Sequence, residues 1–431
     1  MNNTKDVEEI INLRREFHKC PEVGWTEMET TIKIIEYLKS FNLDVIYGKS
    51  IHSVRRGLPK DEYIKAHKEN LIKNNRIKYS EEYKDIFEGY TGAIGILDTK
   101  RNGKNTILRF DIDGIGIRET NSSYHIPNKE NFRSYNDNVM HACGHDSHIA
   151  IGLIVSKKLS EYRDKLSGKI YFIFQPAEEG VRGASSILNS KIGKEIFSKV
   201  DYFISSHIGF MAKDNEIVCL TEKFLGTSKL DVKFLGKASH AGSEPEKGKN
   251  ALLGACNCTL NLHTLTQFSE GVSRINVGIL NGGTSRNIIP SEASLKLEVR
   301  SDKEEILNEL IEKSKNMIKG SAIMYDLTYN IEEVGFASCY KLGNEEFAKD
   351  IKRIIKNLGL KLIFREDFGA SEDVTCMLKA TEDNNGKAIY MIIGTNRTDA
   401  HHSEAFDINE ENLINGLNVY FEILKDINKI N

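Results

Sequence analysis

No sign of charge dominates this chain. Lys and Arg total 59 and Asp and Glu 62, a formal net charge of −3 over 431 residues. There is no basic surplus for a nucleic-acid backbone and no single-sign block that reads as an interaction tail. Long hydrophobic runs are missing too. No 18-residue apolar stretch occurs, and the start, MNNTKDVEEIINLRREF, lacks the apolar segment of a secretory signal. The seven cysteines, at 20, 143, 219, 256, 258, 339 and 376, are odd in number and have no framework spacing. Free thiols in a reducing compartment are expected, with any special one catalytic or metal-bound. These absences point to a cytoplasmic globular protein, for which 40% hydrophobic and 28% charged residues are ordinary. There is no internal repeat and no low-complexity segment. At this length two domains are the prior.

What is present is a strand–helix alternation with a change of texture in the middle. Strands are expected near 43–48, 91–98, 106–110, 169–174 and 202–206, with helices over 5–40 (interrupted by Pro21 and Gly24) and 148–162, and a helical insertion over 60–88. That order predicts an α/β sheet with helices on both faces. From about residue 223 a period-two strand (228–235) is followed by a helix (250–266), strands at 274–280 and 294–300, a helix at 303–319 and a strand at 327–331. This β-α-β-β-α-β order is that of a split βαβ, ferredoxin-like domain. The α/β texture then returns, with a helix at 344–358, a strand at 388–393 and a helix at 410–425. The expectation is a discontinuous catalytic domain, 1–222 and 334–431, with a mixed sheet, and an inserted α+β domain, 223–333.

The densest chemistry is in Met140–His148, MHACGHDSH, which crowds three imidazoles, a thiol and a carboxylate into nine residues. Glu178-Glu179 follows an apolar strand thirty residues later. In an open α/β sheet, ligands gather at strand C-terminal ends. Here those ends carry Asp111/Asp113, Cys143/His145, Glu178/Glu179 and His207, with His401-His402 following a later strand. Thiolate, imidazole and carboxylate together suit a two-metal hydrolytic site. Taken singly, His207 reads as a core histidine, Glu178-Glu179 as a solvated turn and His401-His402 as surface. Their joint occurrence at successive strand ends is what favours a metal site. Cys256 and Cys258 lie on a helix pattern and read as packing, as do His125 and His263. A thiol-redox role for Cys143 is weak because no second cysteine lies nearby in sequence.

The chain resembles the M20 metallopeptidase/amidohydrolase family, in its aminoacylase-like branch. The likeness rests on Arg14-Arg15-Glu16-Phe17-His18, Arg109-Phe110-Asp111-Ile112-Asp113, MHACGHDSH, QPAEEGVRGA (175–184), GKASHAGSEPEKGKNALL (236–253), RINVGILNGGTSRNIIP (274–290) and HHSEAFD (401–407). The insertion over 52–90 resembles the aminobenzoyl-glutamate type. The resemblance implies two divalent ions, Mn²⁺ with Zn²⁺ as rival, held by Cys143, His145, Glu179, His207 and His402. His402 is favoured over His401 because it directly precedes Ser403. Glu178 matches the general base, Asp111 a carboxylate that orients a ligand, and His240 an oxyanion-stabilising group reaching a neighbouring protomer. Asn287 and Arg300 match binders of the substrate carboxylate. Ala370 stands where relatives carry glycine. The implied reaction is cleavage of an N-acyl amino acid, p-aminobenzoyl-glutamate among them, by a homodimer built through the inserted dimerisation/lid domain. The rivals are an auxin-aspartate or hippurate-type hydrolase, an exopeptidase, and a heteromer with a paralogous chain. No nucleic-acid or membrane partner is implied.

Overall fold

In the computed structural model, which describes residues 4–430, the chain divides into two compact units. The outermost ends of the expected catalytic domain, residues 1–3 and 431, lie outside the described residues. The inserted unit comprises Lys223–Lys341 with Gly369–Thr375, and the rest forms the first unit.

The strands of the first unit are β1 (Asp44–Tyr47), β2 (Ala93–Asp98), β3 (Thr106–Asp111), β4 (Lys169–Gln175), β5 (Tyr202–Ile208) and β6 (Glu216–Glu222). The inserted unit contributes β7 (Gly226–Leu235), β8 (Ser273–Gly282), β9 (Glu292–Ser301) and β10 (Thr328–Ala337), after which β11 (Lys361–Asp367) and β12 (Lys387–Ile393) return to the first. The large sheet runs β1-β2-β4-β3-β5-β12-β6-β11. It is mixed: β3 pairs in parallel with β4 and β5, and β12 with β5, whereas β2 runs antiparallel to β4. The order reverses at β3, whose neighbours on the two sides both lie later in the chain. That is where an open sheet leaves a crevice at its strand ends.

The helix His145–Glu161 crosses between β3 and β4 and is buried at thirteen positions, from His145 to Leu159. It packs against β3, β4 and β5 and against the helices Thr4–His18 and Leu413–Ile427. Gly144, at φ +87°, starts it. A Cβ there would meet Ile208 Cγ2 at 2.5 Å, so only glycine lets the Cys143 loop lie against β5.

The inserted unit has the expected order, β7, helix Ala251–Leu262, β8, β9, helix Glu304–Met324 and β10, in an antiparallel sheet β10-β7-β9-β8. Its core is the inward set of the period-two strands, Leu230, Val232, Phe234, Leu295, Leu297 and Val299, against the two helices.

Three expectations need correction. The inserted unit extends past 333, because β10 continues to Ala337 to match β7, pairing Ala337 with Thr227. Residues 369–375 also join it: Gly369 N–H donates to Lys223 O and Leu225 N–H to Ala370 O. In the insertion over 60–88 only Asp61–Lys73 is α-helix; the rest is loop and two short 3₁₀ turns. β6 and β11 were not anticipated. β11 (KLIFRED) is an edge strand whose charges disguise it, and β6 is buried along its whole length.

Candidate active site

β3, β4 and β5 end side by side, and the loop before the buried helix closes over them. Arg109 and Asp111 sit at the end of β3, fully buried, with Arg109 Nη1 donating to Asp111 Oδ2 at 2.8 Å. The other Asp111 oxygen takes the Nδ1–H of His148, whose Nε2 in turn accepts the Ile208 N–H at 3.0 Å. His148 is therefore committed at both nitrogens and ties β3 to β5. Burial alone would raise the Asp111 pKa, but His145, His148 and Arg109 outweigh it and hold the carboxyl well below the usual range.

His145 is the group around which the rest converge. Its Nδ1 donates to the Asp113 carbonyl at 2.9 Å, which leaves Nε2 a lone-pair donor if the ring is neutral. That Nε2 is buried and makes no hydrogen bond. It lies 3.8 Å from Asp111 Oδ2, 3.9 Å from Glu178 Oε2 and 3.8 Å from Glu179 Oε1. A lone pair facing three carboxylates requires a cation between them or a proton on the ring. Burial lowers the His145 pKa, but Asp111, Asp113 and Glu179 raise it further, to about 10.

Cys143 Sγ lies 3.4 Å from His207 Nε2, and His207 Nδ1 donates to the Ile208 carbonyl at 2.9 Å. His207 thus presents a lone pair. Burial, then the neighbouring His148 and His401, keep it neutral, far below its ordinary pKa. The Cys143 thiol is pushed well up by burial and by Glu179, Glu178 and Asp111. Burial also raises Glu179, to about 7, with Asp113 and Asp111 adding to the effect against His145. His402 Nε2 stands 3.4 Å from Glu179 Oε2, and the His402 backbone N–H donates to Ala142 O at 2.8 Å. His401 goes elsewhere: its Nε2 accepts the Phe210 N–H at 3.2 Å and its ring stacks on Phe210.

Ligand atoms of Cys143, His145 and His207 lie within 4.8 Å of one another, as do those of Cys143, Glu179 and His402, and those of His145, Glu178 and Glu179. A thiol, imidazoles and carboxylates around an orphaned Nε2 form a donor set that fits divalent transition ions.

Two groups that hold this arrangement escaped the sequence reading. Asp113 was noted only as a strand-end carboxylate. Its Oδ1 and Oδ2 accept the Glu178 and Glu179 N–H groups at 3.0 and 3.1 Å, while its carbonyl orients His145. Glu27 accepts the Ala177 N–H at 2.8 Å and the Thr91 hydroxyl at 2.6 Å. Burial, then Asp113, raise its pKa to about 8. It pins Ala177 at φ 55°, a left-handed backbone that turns the following Glu pair toward His145. His402 (φ 66°) and Phe210 (φ 48°) share that unusual backbone. Only the doubled Asp of Asp111-Ile112-Asp113 hinted at the first of these; no local signal marked Glu27.

The remaining expected site residues belong to the inserted unit. His240 and Asn287 are neighbours: His240 bridges Ile288, and Ala241 N–H donates to Asn287 O at 3.0 Å. His240 Nδ1 accepts from Gly242 and Ser243 N–H at 3.1 and 3.0 Å, which directs the proton of a neutral ring to Nε2. Arg300 is not with them. It lies eight residues along β9 from Glu292, at the far end of the strand, roughly 27 Å away at about 3.4 Å per residue. Within one chain Arg300 and Asn287 cannot grip the same carboxylate. Arg300 is moreover already paired, its Nε and Nη2 donating to the two Glu298 oxygens at 3.0 Å each.

Comparison with known proteins agrees with this geometry. Residues 107–426 match the peptidase family M20/M25/M40. A homolog of one chain of p-aminobenzoyl-glutamate hydrolase, from Haemophilus influenzae, is 39% identical, over 98% of this chain and 99% of its own. An indole-3-acetyl-aspartic acid hydrolase from Enterobacter agglomerans is 37% identical, over 93% and 92%. The crystal structure of an aminobenzoyl-glutamate utilization protein from Klebsiella pneumoniae superposes with a TM-score of 0.81 at 28% identity, covering 98% of this chain and 96% of that one. On its own motifs, fold and relatives, the chain belongs to the M20/M25/M40 peptidase family.

Proposed function

We propose that this chain is a metal-dependent amidohydrolase that cleaves the amide joining an aryl or other hydrophobic acyl group to an amino acid, with p-aminobenzoyl-glutamate the first substrate to test. The observation that carries the reading is the buried, unpartnered His145 Nε2 facing Asp111, Glu178 and Glu179 beside the Cys143–His207 pair. Cys143, His145, Glu179, His207 and His402 would hold two divalent ions, Mn²⁺ in our reading and Zn²⁺ as the rival. When bound, such ions supply Lewis acidity toward the amide carbonyl and make water easier to deprotonate near neutral pH.

The chain's own groups do the rest. Glu178, its backbone clamped by Asp113, takes the proton from the attacking water and delivers it to the leaving nitrogen. Asp111 orients the ligand set through His148 and Arg109. His240 offers an Nε2–H to the oxyanion, positioned by the two N–H groups on its Nδ1. Asn287 and Arg300 bind the amino acid carboxylate, and their separation along the β8–β9 hairpin implies that one complete site draws on two copies.

The inserted unit has the surface for such an assembly. β8 is an edge strand with Ile279 and Leu280 exposed, and the helix Ala251–Leu262 exposes Leu253 and Leu260. We read it as a homodimerisation face. One relative is named as a component of a multi-chain hydrolase, which makes a heterodimer with a paralogous chain the second reading. The amino acid is acidic in our reading, because the relatives' names specify glutamate and aspartate. None of the described helices is long and apolar enough to cross a membrane. We place it in the reducing cytoplasm, in keeping with the free thiols of Cys20, Cys143, Cys219, Cys256 and Cys258.

The test is release of glutamate from p-aminobenzoyl-glutamate by the metal-stripped chain alone, with and without Mn²⁺. Metal-restored hydrolysis supports the reaction class and self-sufficiency. Stoichiometric metal uptake without hydrolysis would reject p-aminobenzoyl-glutamate and turn attention to other N-acyl amino acids or a missing chain.

A further inference from the structure

The outer face of the inserted sheet carries an arginine pair that the proposed chemistry leaves half unused. β8 and β9 are in register with Arg274 opposite Arg300 and Asn276 opposite Glu298. Ile275 and Val299 point into the core, so these four point the other way. They line a cavity of about 490 Å³ together with His263, Thr266 and Ser273 and the edge of Ile275.

Like charges directly opposite each other on a sheet repel. Here only one of the two is neutralised. Glu298 takes the Nε and Nη2 of Arg300, spending the edge of that guanidinium best shaped for a carboxylate and leaving Nη1. Among the described residues, no side chain pairs with or hydrogen-bonds the Arg274 guanidinium. Two guanidiniums against one carboxylate leave one positive charge over a cavity walled otherwise by the polar His263, Thr266, Ser273 and Asn276 and one apolar side chain, Ile275. A lone arginine on an edge strand is ordinarily there to discourage sheet-to-sheet pairing. The cross-strand placement against a second arginine, over a cavity, is what that role does not require.

We infer that this cavity recognises a dicarboxylic amino acid, with Arg274 reading the side-chain carboxylate and Arg300 Nη1 contributing at its rim. The inference rests on the amidohydrolase reading above and sharpens it: Arg274 is the residue that separates conjugates of glutamate or aspartate from conjugates of neutral amino acids. A neutral amide in place of the side-chain carboxylate would leave the Arg274 charge uncompensated.

The experiment compares p-aminobenzoyl-glutamate with p-aminobenzoyl-glutamine on the wild type, Arg274→Gln and Arg274→Lys, with calorimetric binding of free glutamate and free glutamine alongside. We expect Arg274→Gln to lower kcat/KM for the glutamate conjugate by about 10- to 100-fold, the loss of a charged hydrogen-bonded contact. The glutamine conjugate should change by less than about threefold, and Arg274→Lys should recover part of the glutamate preference. Equal losses on both conjugates, or an unchanged glutamate preference, would overturn the inference. If the wild type cleaves neither conjugate, the p-aminobenzoyl group is rejected as the acyl part of the substrate, and binding then decides the inference separately. Glutamate bound over glutamine, and lost in Arg274→Gln, supports the carboxylate site; no such difference rejects it.

Discussion

Asp111, Asp113 and His145 are buried, and each is held by a partner from another element, whereas His240, Asn287 and Arg274 in the inserted unit are exposed. His240 is aimed by two backbone N–H groups, and Asn287 by the Ser285 hydroxyl at 2.7 Å. The first set is over-determined: removing one group leaves the others buried and unsatisfied. The second is under-determined, its groups waiting for something to meet. Over-determination suits charges that must stay fixed at low dielectric. Exposure suits groups that act only when a ligand or a second chain arrives.

The largest test of that contrast is Glu178→Gln. It should lower kcat by about 10³-fold or more while leaving metal content intact, because the amide keeps the shape and loses only the base. Substantial residual turnover would sink the assignment. His240→Ala comes next. It should cost about 10²- to 10³-fold in kcat with metal content again unchanged. Mixing the Glu178→Gln and His240→Ala proteins sharpens the comparison, since in a dimer that shares groups one of the two sites in a mixed pair is whole. Recovered activity on mixing is the expected outcome, and additive inactivity would place His240 in its own chain's site.

Asp113→Ala probes the other side. Losing the carboxylate clamp on the Glu178 and Glu179 N–H groups should weaken metal affinity by about 10- to 100-fold, measured by competition with a chelator. Metal uptake should also release protons, from the His145 ring held at about 10 and from the Cys143 thiol. A pH indicator at neutral pH should register more than one per chain, and uptake with no proton release would contradict the ligand set.

The smallest effect concerns stability. His18, buried between Asp146 at 2.7 Å and Glu119 at 2.9 Å, loses affinity for its proton by burial and regains more from those carboxylates, reaching about 9. Its folded value lies above the unfolded one of about 6.5. The stabilisation is therefore complete below pH 6.5 and is lost as pH rises through 9, by on the order of 3 kcal/mol. The urea midpoint of the metal-free protein should fall across that window, and His18→Gln should flatten the slope.

Much of this was legible in the chain. The period-two strands and two amphipathic helices over 223–333 prescribe a split βαβ unit, because only one face of each element is apolar. The crowding of Cys143, His145 and His148, with Glu178-Glu179 after an apolar strand, marks the strand ends where a site forms. β6 and β11 were hidden for opposite reasons: one is buried throughout and loses its alternation, the other is an edge whose charges mask it.

Sequence by itself settled which residue types are available and on which elements they ride, since periodicity and strand order are local properties. It could not settle which of two adjacent histidines faces Glu179, because a left-handed backbone at His402 decides that. Nor could it show that Asp113 spends its carboxylate on two backbone N–H groups, or that Glu298 occupies the fork of Arg300. It paired Asn287 with Arg300 by role, and the β8–β9 hairpin put them at opposite ends. Those outcomes depend on contacts between residues far apart in the chain, and only the folded packing brings such groups within hydrogen-bonding distance or keeps them apart.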